Sequence, residues 1–156
     1  MATQEQIKAI RELLEPINSG EYELKKYFRS NGWTVTDVSA DPRFWGLDID
    51  LIIEKDNYVW TIEVKYDHVL HRSGNLFIEH TNPRSKDGKG WYHFCKADFL
   101  FYGDAATNTF YAIGVEALHE YIEANKENLR EKGTADRSYG WILPLKDAPV
   151  FTQVEA

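Results

Sequence analysis

The chain has 156 residues, a single cysteine, 14% aromatic residues and a formal net charge of −7 at pH 7. The length and the aromatic content fit one folded domain and argue against a disordered chain. One cysteine, Cys95, excludes an internal disulfide and a zinc site built from cysteines. The acidic balance argues against very tight, non-specific binding to nucleic acid.

The sequence also lacks the features that direct a chain to a membrane or out of the cell. No apolar run approaches the roughly 20 residues that span a bilayer. The first residues do not form a secretory signal. We therefore expect a cytoplasmic protein with no membrane partner.

The first part of the chain predicts two helices. Apolar residues at helical spacing predict an N-terminal helix over about residues 4–15, which we assign to packing alone. A second helix is predicted over residues 21–31, with Leu24 and Phe28 on its buried side, and Gly32 is a natural end for it.

A β-hairpin is predicted next, and it carries the most informative residues. An apolar run over residues 51–53 and a β-branched and aromatic run over residues 58–64 flank the turn residues Asp56-Asn57. Side chains alternate along a strand, so Glu63 and Lys65 share one face of the second strand. Charged groups on a core strand are costly to bury without partners, and such a violation marks an expected functional site.

The downstream pattern predicts further strands and one long helix. We expect residues 75–79 to add a third strand to the hairpin, and a loosely held tail after residue 148. The other predicted elements are strands over residues 97–102 and 109–113, a helix over 115–130, a polar loop over 131–137 and a strand over 139–145. This order of helices and strands predicts an α/β domain.

The charged residues of the hairpin suggest metal chemistry. Asp50 directly precedes the first strand and, with Glu63, could hold a hard cation such as Mg²⁺, which prefers oxygen ligands. Asp48 shares a face with Asp50, and the choice between them stays open. Lys65 could then lie beside a metal-activated water or a charged phosphate. The competing interpretation is that Glu-x-Lys is a solvated strand face with a cross-strand ion pair.

The pattern Asp50, a short hairpin and Glu63-x-Lys65 resembles the PD-(D/E)XK nuclease superfamily, with Ile49 in place of the usual proline. The resemblance implies a restriction-endonuclease-like core, a central mixed β-sheet flanked by helices, in a single domain over residues 1–156 with its core over about 20–145. It implies a Mg²⁺- or Mn²⁺-dependent deoxyribonuclease in which Asp50, Glu63 and the Val64 carbonyl hold the metal and Lys65 acts on the water or phosphate.

Two further glutamates are candidates by the same resemblance. In archaeal Holliday-junction resolvases a first helix carries a glutamate near the metal, and Glu21, Leu24 and Gly32 match that spacing, with Glu23 as a competing choice. In a phage and bacterial subgroup a third-strand glutamate lies by the active site, and Glu79 matches it. The alternative roles are an acidic first helical turn for Glu21 and an edge-strand charge for Glu79.

The segment over residues 82–96 is the one locally basic stretch. Arg84, Lys86 and Lys89 lie there beside Trp91 and two glycines, a composition that suits contact with a nucleic-acid backbone. We therefore predict that these three residues contact DNA.

A second hypothesis belongs to another class of protein. The acidic net charge also suits a catalytically silent binding module that kept the nuclease fold and recognises nucleic acid or protein, as an inhibitor or adaptor. Many members of the superfamily cut as dimers, which makes a homodimer a plausible assembly. The sequence leaves open DNA against RNA, the strandedness or branching of the substrate, and the pathway.

Overall fold

The computed structural model describes residues 3–4, 20–85, 87–149 and 152–155. The helix predicted over about 4–15 falls almost entirely outside these residues and stays a prediction.

Within the described residues the chain forms nine strands and five helices. The strands are β1 (Thr34–Asp37), β2 (Leu51–Lys55), β3 (Tyr58–Asp67), β4 (Asn75–Thr81), β5 (Phe99–Asp104), β6 (Thr109–Gly114), β7 (Arg130–Gly133), β8 (Tyr139–Pro144) and β9 (Thr152–Glu155). The helices are α1 (Gly20–Ser30), α2 (Pro42–Trp45), α3 (Leu70–Ser73), α4 (Trp91–Phe94) and α5 (Val115–Asn125), with 3-10 turns at Lys126–Asn128 and Leu145–Asp147. Across these described segments no helix has both the length and the apolar character needed to cross a membrane.

The central sheet has the strand order β1-β2-β3-β5-β6-β9 in the described part of the chain. β3 and β5 are parallel, and the other neighbours are antiparallel. The predicted α/β class with a central mixed sheet flanked by helices is therefore confirmed.

The predicted hairpin is formed by β2 and β3. Asp56 occupies the left-handed region with φ of 54°, which an Asx residue in a tight turn tolerates. The register places Leu51 opposite Ile62, so Asp50, the residue before β2, lies beside Glu63 just past the middle of β3.

The core consists of two apolar clusters, one on each face of the central sheet. α1 covers one face with Leu24 and Phe28, as the sequence predicted. The first cluster also contains Leu51, Ile53, Ile62, Val64, Phe101 and Phe110. The second cluster joins the other face to α5 and to a second sheet, through Leu76, Ile78, Leu100, Ile113, Leu118, Ile122, Trp141 and Leu143.

α1 ends as the sequence predicted, at a glycine. Gly32 has φ of 85°, in the left-handed region that glycine adopts without strain. The N–H of Trp33 then donates to the carbonyl of Phe28 at 3.0 Å, closing the helix end.

The prediction that residues 75–79 extend the hairpin sheet is wrong. β4 instead pairs antiparallel with β8, which pairs with β7, in a separate three-stranded sheet. The neighbour of β3 is β5, which is buried on both faces as expected for a strand in the middle of a sheet. The alternation of Leu76 and Ile78 fixes the buried face of β4 but not its partner strand.

Three boundaries also differ from the sequence prediction. The helix predicted over 115–130 ends at Asn125, and the loop predicted over 131–137 begins as the exposed strand β7. The tail after residue 148, predicted to be loosely held, contains β9, which pairs with β6.

Gly140 is a point of close approach in the second sheet. A Cβ atom there would lie 2.6 Å from the Ile78 carbonyl oxygen and 2.7 Å from Cε2 of Phe77. The missing side chain lets the Phe77 ring lie across β8.

We predict that Gly140→Ala lowers the free energy of unfolding by about 1–3 kcal/mol, because the new methyl group overpacks a site bounded by backbone. Gly46→Ala is the matched control. Gly46 has φ of −76°, and a Cβ atom added there would meet no heavy atom of a non-adjacent residue within 4 Å. Urea denaturation of the two variants measures the difference. Equal stabilities would show that the close approach at Gly140 does not limit the packing of the second sheet.

Candidate functional site

Asp50 is fixed by its backbone and its side chain at the junction of three strands. Its N–H donates to the Ile62 carbonyl at 2.8 Å, and its carbonyl accepts the Val38 N–H at 2.8 Å. Its Oδ2 accepts the Val64 N–H at 2.9 Å. The carboxylate therefore stands where the β2–β3 ladder ends, directly beside the second half of β3.

Glu63 and Lys65 project from β3 on the face opposite α1. Lys65 Nζ lies 2.7 Å from Glu63 Oε1, and Glu63 is only 5% exposed. The Lys65 ammonium also lies 5.4 Å from the centre of the Trp91 ring. Glu63 is therefore buried while the Lys65 side chain is 29% exposed, which argues against the interpretation of Glu-x-Lys as a fully solvated strand face.

The protonation of Glu63 and Lys65 follows from this burial. Desolvation raises the pKa of Glu63 to about 8; the Asp50 carboxylate adds to the rise and the Lys65 ammonium opposes it. Burial alone would lower the pKa of Lys65, but Glu63, Asp48 and Asp50 together raise it above its usual value. The raised pKa of Glu63 means that a bound divalent cation would compete with a proton for this carboxylate.

Asp48 and Glu79 lie within electrostatic reach of the same group. Burial raises the pKa of Asp48, and the carboxylates of Asp50 and Glu79 raise it further, against the opposing Lys65 charge. Glu79 Oε1 accepts a long hydrogen bond of 3.4 Å from Asn82 Nδ2. Four carboxylates and one lysine, all within residues 48–79, thus interact electrostatically, and both aspartates stay candidates.

Glu21 and Glu23 lie in the first turn of α1. α1 packs on the face of β3 that carries Ile62 and Val64, whereas Glu63 points to the other face. Glu23 lies near the end of β3, since burial and then the Glu23 carboxylate raise the pKa of Tyr66. The role of Glu21 as a metal ligand stays a prediction.

The oxygen donors around β3 fit a magnesium ion held by few protein ligands. In residues 3–4, 20–85, 87–149 and 152–155, no group of three or more His, Cys, Asp or Glu side chains is placed to hold one ion. Mg²⁺ usually takes one or two carboxylates and completes its shell with waters and substrate phosphates. Asp50 and Glu63 would supply the carboxylates. The Val64 carbonyl faces the Asp50 side, because the N–H and C=O of one strand residue point the same way.

Arg84 and Lys89, in the basic segment, have exposed side chains. Arg84 Nη2 lies 2.8 Å from Asp136 Oδ1, and both side chains are exposed. Lys89 is also exposed, and its backbone forms an isolated antiparallel β-bridge with Thr81. Lys86 falls outside the described residues. The predicted DNA contacts of Arg84, Lys86 and Lys89 stay predictions.

A cleft of about 700 Å³ opens beside Lys65, between the end of β3 and the second sheet. Its lining residues are Lys65, Tyr66, Asp67, His68, Phe77, Trp91, Tyr102, Thr134 and Asp136. The sequence puts Trp91 within the basic segment but does not predict its contact with Lys65, and it carries no specific signal for Phe77. Aromatic residues near a strand that carries candidate metal ligands could have pointed to them. Such a pattern does not, however, predict contacts between residues that are distant in sequence.

Comparisons with solved structures give a partial likeness of fold. A bacterial homing endonuclease, I-Ssp6803I, matches with a TM-score of 0.44 at 20% sequence identity, over 63% of this chain and 66% of that chain. No family model matches the sequence. No curated protein matches it either.

We predict that Glu63→Gln stabilises the metal-free protein more at pH 9 than at pH 5. The pKa of Glu63 is raised in the folded state, so its unfavourable contribution is absent below about pH 4.5 and complete above about pH 8. The gain in free energy of unfolding over wild type should be larger at pH 9 than at pH 5 by more than about 1.4 kcal/mol, the equivalent of one pKa unit.

Denaturant unfolding in chelator at several pH values measures this gain, with Glu54→Gln on the exposed end of β2 as the control. A gain independent of pH would show that Glu63 titrates normally in the folded protein.

Proposed function

We propose that this protein is a metal-dependent deoxyribonuclease of the PD-(D/E)XK type, which hydrolyses phosphodiester bonds of DNA. The observation that carries the proposal is the convergence of Asp50, Glu63 and Lys65 beside the second half of β3, with Lys65 Nζ 2.7 Å from Glu63 Oε1. A binding surface alone gives no reason to keep a buried carboxylate beside an ammonium on a central strand.

The Asp50 and Glu63 carboxylates, with the Val64 carbonyl, would hold Mg²⁺ or Mn²⁺. When bound, such an ion activates a water molecule and polarises the phosphate. Glu79 and Asp48 lie close enough to add to the negative charge of the site. Together with Glu21, they are the candidates for a second ion or for the surrounding charge.

Lys65 orients the attacking water or stabilises the pentacovalent phosphate. Its ammonium keeps its proton because three carboxylates surround it. Its position is fixed from two sides, by Glu63 and by the Trp91 ring. A positioned charge in a partly dehydrated site stabilises developing negative charge more strongly than the same charge in water.

The overall charge bears on how the substrate is held. With a net charge of −7 the protein cannot rely on a broad basic surface. Contacts with the DNA backbone would instead be local, through Lys65, the metal and the segment that contains Arg84 and Lys89.

We expect Lys65→Ala to lower the rate of DNA cleavage in Mg²⁺ by at least about 100-fold, since it removes a charge that acts on the transition state. Lys146→Ala, an exposed lysine in the turn Leu145–Asp147, is the control and should cleave at the wild-type rate. Linear, circular, single-stranded and four-way-junction DNA should each be tested with Mg²⁺, Mn²⁺ and chelator. Full activity of Lys65→Ala would refute its role.

Metal binding is predicted to depend on Asp50. Calorimetric titration with Mn²⁺ should show binding to the wild type and an affinity at least about tenfold weaker for Asp50→Asn. The amide oxygen of the variant can still accept the Val64 N–H, so the fold is kept. Asp56→Asn, in the hairpin turn, is the matched control. Equal Mn²⁺ binding by all three proteins would exclude Asp50 as a ligand, and no binding to the wild type would favour the silent binding module.

A further inference from the structure

Aromatic residues form part of the wall of the cleft beside Lys65. Phe77, Trp91 and the buried Tyr102 line it, whereas the ring of the neighbouring Tyr66 stacks on Phe110 in the first cluster, on the other face of the sheet. Lys65 is the one lysine or arginine among the described lining residues. The cleft therefore continues directly from the candidate catalytic lysine into a space with little positive charge.

The Phe77 ring presents a flat surface to this cleft. Its ring lies across Gly140, where an added Cβ would meet Cε2 at 2.7 Å and Cζ at 2.8 Å. Its backbone N–H donates to the Tyr102 hydroxyl at 3.2 Å, and that hydroxyl donates to Asp67 Oδ2 at 3.2 Å. The side chain is only partly buried. Phe77 thus holds a fixed position with part of its ring open to the cleft.

Trp91 has a different role from Phe77. The Lys65 ammonium lies over its ring, 5.4 Å from the centroid. A planar ligand that entered the cleft would therefore stack on Phe77 rather than on Trp91.

The charges of the cleft disfavour a second strand of phosphates. The carboxylates of Asp67 and Asp136 line it, and Asp136 is offset only by the exposed ion pair with Arg84. A DNA duplex would bring two phosphate chains to this acidic wall. A single strand can turn its uncharged base faces toward the aromatic rings, and such stacking is independent of base sequence.

We propose that the cleft takes unpaired bases of a DNA strand, one of them stacked on Phe77, while the adjoining phosphate lies at Lys65. This makes single-stranded DNA the preferred substrate. The inference rests on the proposed nuclease function and adds the substrate class.

The test is a binding measurement in chelator, so that no cleavage occurs. Fluorescence anisotropy compares a labelled oligothymidylate, a duplex of the same length, and an oligomer of abasic sites that keeps the phosphates but has no bases. Wild-type protein should bind the oligothymidylate at least about tenfold more tightly than either of the others.

Variants of Phe77 connect this preference to one side chain. Phe77→Leu keeps apolar bulk but loses the aromatic face, and it should remove most of the preference, whereas Phe77→Tyr should keep it. Tyr58→Ala, which removes a 61% exposed aromatic side chain at the start of β3, should bind as the wild type. Thermal unfolding monitored by circular dichroism confirms that each variant is folded.

The outcomes separate this inference from the nuclease proposal. Equal binding of the thymidylate and abasic oligomers, or unchanged binding by Phe77→Leu, overturns the stacking role. Equal cleavage of duplex and single-stranded DNA in Mg²⁺ overturns the proposed substrate preference but is consistent with the proposed nuclease function. A preference for the oligothymidylate over the abasic oligomer, without cleavage of any DNA in Mg²⁺, supports base stacking in the cleft and overturns the proposed nuclease function. If the protein binds none of the DNA molecules, both proposals are overturned.

Discussion

The structure of the site depends on one ion pair on the central strand β3, between the buried Glu63 carboxylate and the partly exposed Lys65 ammonium. Taking both groups out of water costs several kcal/mol per ion, and their attraction offsets this only with good geometry and further partners. Asp50 supplies a neighbouring charge, and the Trp91 ring covers the ammonium. The pair lowers the stability of the fold, but it places an ammonium beside a carboxylate to which a metal ion could bind.

Asp50 links this pair to the architecture of the sheet. Its backbone joins the strand before it to β3, and its side chain completes the ladder where β2 ends. The position of the carboxylate is therefore set by the register of the hairpin, in which Leu51 lies opposite Ile62. A slip of one residue would turn Glu63 into the apolar cluster under α1.

The parts of the structure that the sequence predicts are those set by local periodicity. The turn at Asp56, the alternation that puts Glu63 and Lys65 on one face, and the stripe of α1 all follow from neighbours a few residues apart. The partner of β4 and the contact between Trp91 and Lys65 do not, because they join segments distant in sequence. Several apolar strands could pair with β3, and only the packing of the whole domain selects one.

The parallel pairing of β3 with β5 has a consequence for how the protein folds. The chain between these strands contains β4 and α4, so it includes one wall of the cleft and the ring over the lysine. Parallel pairing must close this long crossover before its hydrogen bonds form, which makes it a slow, cooperative event. The candidate site on β3 and the cleft beside Lys65 thus form in the same step. A folding intermediate that lacks the β3–β5 pairing would have neither.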